Sequence, residues 1–134
     1  MENKHANRYS EVYGELNKLT KRINMSRLIY IASPYSHNDP AVVIKNFELV
    51  SQLAANLCSE GHVAFSPITY GHTLLAYKDM PSDWAFWKNF CLSFLQHCDE
   101  LLVYQIPGWD MSRGVTEEIN FAKENNITIK YITI

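Results

Sequence analysis

The chain has 134 residues, 47% of them hydrophobic and 19% charged, a composition that suits one globular domain and excludes a disordered chain. No apolar run approaches the roughly 18 residues of a membrane span, and the polar N-terminus lacks the apolar stretch of a secretory signal, so a cytoplasmic protein without a membrane partner is expected. The net charge of −2 hides an asymmetry: residues 1–27 carry six Lys/Arg against three Asp/Glu and the remainder six against eleven, an acidic body that argues against a nucleic-acid polymer as partner.

In chain order, Tyr9, Val12, Tyr13, Leu16, Leu19 and Ile23 recur at three- and four-residue spacing. They predict an amphipathic helical extension over residues 1–26, suited to packing on the body or on a second subunit. The domain proper then covers 27–134. Leu28 to Ala32 is a short apolar run broken by Ser33-Pro34, the pattern of a buried parallel strand ending in a loop. Residues 40–60 predict a helix with Pro40 in its first turn, a stripe of Val43, Phe47, Val50, Leu53, Ala54 and Leu57, and Gly61 as its stop. His62 to Phe65 is a second strand, and Ser66-Pro67 opens a stretch read as an irregular loop as far as Pro81. Ser82-Asp83 starts an aromatic-rich helix that runs to about Cys98. Glu100 to Tyr104 is a third strand, a loop follows from Gln105 to Met111, and a helix from Ser112 ends near Asn125-Asn126. Ile127 to Ile132 closes the chain as a strand. This alternation predicts an α/β fold, an open parallel sheet of Rossmann-like or flavodoxin-like type flanked by helices, with ligands beyond the carboxyl ends of the strands.

Cys58, Cys91 and Cys98 form no CxxC pair, and the five His are scattered. Reduced thiols and no metal site are expected. Neither GxGxxG nor GxxxxGKS occurs, so no dinucleotide cofactor and no P-loop are expected.

The most informative stretch is Ser112-Arg113-Gly114-Val115-Thr116-Glu117-Glu118-Ile119. Val115, Ile119 and Ala122 define the apolar stripe of a helix; Glu118 lies one residue off it and Glu117 points away. Glu118 also lies near the helix N-terminus, whose partial positive charge favours the carboxylate. Three loops converge at the strand ends: Ser33 to His37, Ser66 to His72 and Pro107 to Ser112. Their aromatics offer stacking faces for a flat base and their hydroxyls offer donors to a sugar or phosphate. The same residue types have plainer uses, since Ser112, Asp110, Ser82 and Asp83 are helix-capping types and Trp84 and Trp87 are core-forming ones.

Tyr30-Ile31-Ala32-Ser33-Pro34-Tyr35 resembles the first-strand Tyr-Leu-Ala-Gly-Pro signature of the nucleoside 2-deoxyribosyltransferase superfamily, and Ser112 to Ala122 resembles its Gly-x-Glu-Leu-Gly-x-Ala helix. Asp83, Trp84 and Trp87, with His97-Cys98-Asp99-Glu100 before the third strand, are similar to a small bacterial and phage branch of that superfamily. The resemblance implies N-glycosidic bond chemistry on 2′-deoxynucleosides or their 5′-monophosphates, by hydrolysis or by transfer to a second base. It makes Glu118 the nucleophile, Tyr30 its orienting partner and Ser112 a phosphate ligand, and it implies a homo-oligomer. Ser33, Pro34, Tyr35, His72, Trp84, Trp87, Cys91, Asp110, Ser112 and Gly114 are the candidates for substrate contact. Departures from the pattern are Thr116 and Asn120 at the glycine pair flanking the glutamate, which would narrow or polarise the ligand space. Counting back eight residues from Asp99 also places Cys91 where the family has an aspartate. That thiol is a poor acid, which leaves Asp83 or Asp110 to assist the leaving base. The alternative is a catalytically weak or inactive nucleotide-binding module, and a third reading is an interaction protein built around the N-terminal helix.

Overall fold

A computed structural model describes residues 26–133; the expected N-terminal helix lies outside them. Four parallel strands, β1 (Leu28–Ala32), β2 (Val63–Phe65), β3 (Glu100–Tyr104) and β4 (Thr128–Ile132), form one sheet in the order β2-β1-β3-β4. Helix α1 (Pro40–Ser59) connects β1 to β2, α2 (Pro67–Leu75) and α3 (Trp84–Leu95) connect β2 to β3, and α4 (Arg113–Glu124) connects β3 to β4. The expected open parallel α/β sheet is therefore what the chain forms. The order reverses between β1 and β3, and a crevice opens there beyond the carboxyl ends of the strands.

The period of two along β1 divides its side chains between two layers. Ile29 and Ile31 meet Val50 of α1 with Leu102, Tyr104 and Ile106. Tyr30 and Ala32 meet Cys91 and Leu95 of α3, Val115 and Ala122 of α4, and Leu101 and Val103. Local signals set the helix starts: Asp39 accepts from the Ala41 N–H at 2.9 Å and Pro40 follows it at the first helical position. Past the end of α1, Gly61 has φ +92° and Asn126 past α4 has φ 56°, left-handed positions that glycine and asparagine tolerate best.

The irregular loop expected after Ser66 is corrected: residues 67–75 are helix α2. Ile68, Thr69, Gly71 and Thr73 are weak helix formers, so beyond its Ser66-Pro67 start the segment has little helical propensity. It is held instead by Ser66, whose hydroxyl accepts from the Thr69 N–H at 3.0 Å, by Pro67 at its first turn, and by tertiary packing of Gly71 on Trp87. Helix α3 is shorter at both ends than the expected 82–98, and a 3₁₀ turn occupies Trp109–Met111 in the expected loop. Among the described residues no helix is long and apolar enough to cross a membrane.

Candidate functional site

A cavity of about 380 Å³ opens at the carboxyl ends of β1 and β3. It collects residues from all three predicted loops: Ser33, Pro34 and Tyr35 after β1, His72 of α2, and Ser112 and Gly114 at the start of α4. Trp84, Trp87 and Cys91 of α3 supply another wall with Asp83. Glu118 also lines it, and its side chain belongs to the buried face of α4 with Val115 and Ala122.

Glu118 is 4% exposed, and the Tyr30 hydroxyl, itself at 0%, donates to its Oε2. Burial pushes the Glu118 carboxyl up to about 8, against the lowering effect of the Tyr30 hydrogen bond. The expectation that the helix N-terminus keeps this group ionised is thus corrected. Glu118 sits in the second turn of α4, where the dipole has faded, and removal from water is the larger effect. Burial first and then the Glu118 charge raise Tyr30 well above the usual phenol range, so it stays a donor. The Cys91 thiol, 5% exposed, is pushed up to about 12 by burial and next by Glu118. The count back from Asp99 therefore does lead to a group beside the carboxyl, and that group is a neutral thiol.

Tyr35 and His72 share a hydrogen bond of 2.7 Å between the phenol oxygen and Nδ1, and the His72 ring stacks on Phe47 at 4.0 Å. Burial raises Tyr35 as well. Ser112 does cap α4, its hydroxyl accepting from the Val115 N–H at 3.3 Å, and it lines the cavity at the same time. Asp83, an exposed residue on the lining, precedes α3 without a capping hydrogen bond from its side chain. Ser33 is 6% exposed and its Oγ has no protein partner.

Two expectations are corrected here. Asp110 is exposed on the 3₁₀ turn and lies outside the lining. Thr116 and Asn120 are exposed and also outside the lining, since positions two residues either side of Glu118 fall on the opposite flank of a 3.6-residue helix. They neither narrow nor polarise the cavity.

Sequence reasoning missed Asn46 and Arg113, both on the lining. Asn46 is 5% exposed and donates from Nδ2 to the Tyr35 carbonyl at 3.2 Å. Its signal was available: it sits three residues after Val43 and four before Val50, a polar group on an apolar stripe. Glu117, read as pointing away, accepts from Trp84 Nε1, from Lys88 Nζ at 2.8 Å and from Arg113 Nε at 3.1 Å. Lys88 foremost, with Trp84 and Arg113, holds its carboxyl below the usual range. Among the described residues no group of three or more His, Cys, Asp or Glu could hold a metal ion.

The sequence profile of a domain of unknown function, DUF1937, matches residues 27–132. The chain belongs to the DUF1937 family. Among the described residues, every one that lines the cavity falls within that match, so the DUF1937 domain supplies these walls of the site. No curated protein matches the chain.

Proposed function

We propose that this DUF1937 protein cleaves or transfers the N-glycosidic bond of a 2′-deoxynucleoside or its 5′-monophosphate, with Glu118 as nucleophile. The observation that carries the reading is a buried carboxyl on the cavity lining, held by a phenol that remains protonated. A carboxyl at about 8 is roughly one tenth ionised at pH 7, and the positive charge that develops on the sugar in the transition state draws it toward the carboxylate. Glu118 Oε then bonds to the anomeric carbon as the carbon–nitrogen bond breaks, and the electron pair leaves with the base. The departing nitrogen takes a proton delivered through solvent, which balances the one that Glu118 gives up on ionising. Cys91 is too weak an acid for this at about 12, and Asp83 is the other carboxyl group on the lining. Water attacking the anomeric carbon of the glycosyl ester gives hydrolysis, a second base gives transfer, and either restores Glu118.

Tyr35, Trp84, Trp87 and His72 suit a planar base, and the unpartnered Ser33 hydroxyl suits a sugar oxygen. Ser112, Gly114 and the start of α4 suit a 5′-phosphate. The reading includes no metal or organic cofactor, a cytoplasmic setting that keeps Cys58, Cys91 and Cys98 free, and a homo-oligomer that light scattering would reveal. A second reading, a binding module for a nucleotide-derived ligand, is favoured by the thiol at Cys91 where an acid would serve catalysis.

Chromatography of free base released from a panel of deoxynucleosides and monophosphates tests the proposal, together with intact-mass detection of a deoxyribosyl adduct. Release that is lost in Glu118→Gln supports it. Release that survives in Glu118→Gln overturns the nucleophile, and tight binding without release or adduct establishes the binding module.

A further inference from the structure

Neighbouring carboxylates on α4 have opposite surroundings. Glu118 turns into the core, whereas Glu117 bridges α4 to α3 at the edge of the cavity through Trp84 and Lys88, with Arg113 of α4 itself as its third partner. Two of those three partners, Trp84 and Arg113, are lining residues.

The Trp84 indole is fixed from two directions. On one side it lies against Gly114, where a Cβ would sit 3.0 Å from the ring carbon Cε3 and 3.4 Å from Cδ2, so any side chain there would push the ring away by a few tenths of an ångström. At its edge, the N–H is committed to Glu117. Trp87 is held in a parallel manner, with its ring beside Gly71, where a Cβ would meet it at 3.5 Å, and its N–H donating to the Pro81 carbonyl at 2.9 Å. With both indole N–H groups committed to protein acceptors, the two tryptophans have no donor left for a ligand. What they present to the cavity is aromatic surface, which selects for planarity and polarisability rather than for a hydrogen-bonding pattern.

Resting on the nucleotide reading above, we propose that Glu117 is a positioning residue: its carboxylate locks the Trp84 indole against Gly114 as a stacking wall for the planar base of the ligand. Glu117 touches neither substrate nor the reacting atoms in this arrangement. Its ion pairs with Lys88 and Arg113 keep it an acceptor, and the fixed indole spares the ligand the entropy of ordering that wall. An unlocked Trp84 would weaken binding of base-bearing ligands and leave recognition of the sugar phosphate intact.

The experiment uses the full chain carrying Glu118→Gln, which prevents turnover and mimics the neutral carboxyl. Two probes are titrated calorimetrically: a deoxynucleoside 5′-monophosphate and 2-deoxyribose 5-phosphate, which lacks the base. Adding Glu117→Ala should raise the Kd of the nucleotide about tenfold, the scale of one stacked base, and change that of the sugar phosphate less than about twofold. Glu117→Gln, which retains an oxygen acceptor for the indole N–H, should recover most of the loss. Equal weakening for both probes, or no weakening for either, overturns the proposal.

A ligand-free measurement separates this from failure of the nucleotide reading. In protein labelled with 5-fluorotryptophan, the ¹⁹F resonance of residue 84, identified by its loss in Trp84→Phe, should shift or broaden in Glu117→Ala and stay near its place in Glu117→Gln. An unmoved resonance in Glu117→Ala overturns the positioning role. A moved resonance in a protein that binds neither probe keeps that role and overturns the nucleotide ligand.

Discussion

On the α1 side of the sheet, Ile29, Ile31, Val50, Leu102 and Ile106 meet in a cluster that is aliphatic apart from Tyr104. On the α3 and α4 side, Tyr30, Cys91 and Glu118 are buried beside Leu101, Val103 and Val115. Both clusters draw on the same five-residue strand, β1, whose alternation sends isoleucines one way and Tyr30 the other. The buried residues of the first cluster carry no ionisable group except the Tyr104 phenol. The second contains a carboxyl raised to about 8, a group that a core selected only for stability would replace by an apolar side chain. A buried ionisable group kept at a stability cost, and placed on a cavity lining, is what makes this face the candidate for chemistry.

Substitutions on the two faces break that comparison differently. The largest expected effect is that of Glu118→Gln, which should lower base release by about a thousandfold or more. The same variant should gain stability relative to wild type as pH rises. Glu118 holds its proton in the folded state up to about 8 but loses it near 4.5 when unfolded. Between those values the folded chain binds the extra proton, so the wild type loses stability as pH climbs through that window and levels off above it. Parallel thermal melts at pH 5, 7 and 9 would show it, and a constant difference between the two proteins would contradict it. On the other face, Ile31→Ala should cost about 2–5 kcal/mol in urea unfolding and leave the activity of the folded fraction unchanged; a selective loss of activity would erase the distinction between the faces.

Smaller effects sharpen it. Tyr30→Phe removes the hydrogen bond that lowers Glu118, so the limb on which activity rises with pH should move upward, with about tenfold less base release at pH 7. An unmoved limb would mean that Glu118 does not govern it. The smallest is Gly71→Ala in α2. The new Cβ would meet the Trp87 ring at 3.5 Å, an ordinary contact, so the gain of about 0.5–1 kcal/mol in helix propensity should appear as a slightly higher melting temperature.

Most of the fold was legible because apolar runs at β1 and β3 and apolar stripes on α1 and α4 follow the periods of strand and helix. Helix α2 was not, since most of its residues before Leu74-Leu75 are poor helix formers and its support comes from the Ser66 cap and from Trp87 across the chain. At the site, the residue types at the strand ends were readable, and their pairings were not. Tyr35, Phe47 and His72 come from three separate segments, and Glu117 finds Trp84 33 residues away. The balance at Glu118 was equally hidden, because spacing places a carboxyl on a helix face but not at a depth, and depth decides whether burial or the helix dipole prevails.

Among the described residues β2 and β4 are the outer strands of the sheet. An outer strand exposes unpaired backbone groups that invite a strand from another molecule. Here β2 is only three residues long, which leaves little template on that side. On the other side, β4 carries Lys130, 62% exposed and paired at 2.8 Å with the nearly buried Glu100 of β3. A strand from another copy that added beside Lys130 would crowd an ammonium group already anchored to the sheet. Lys130 is thus the kind of outer-strand charge that disfavours edge-to-edge pairing, an effect that matters most at high concentration and while the chain is still folding.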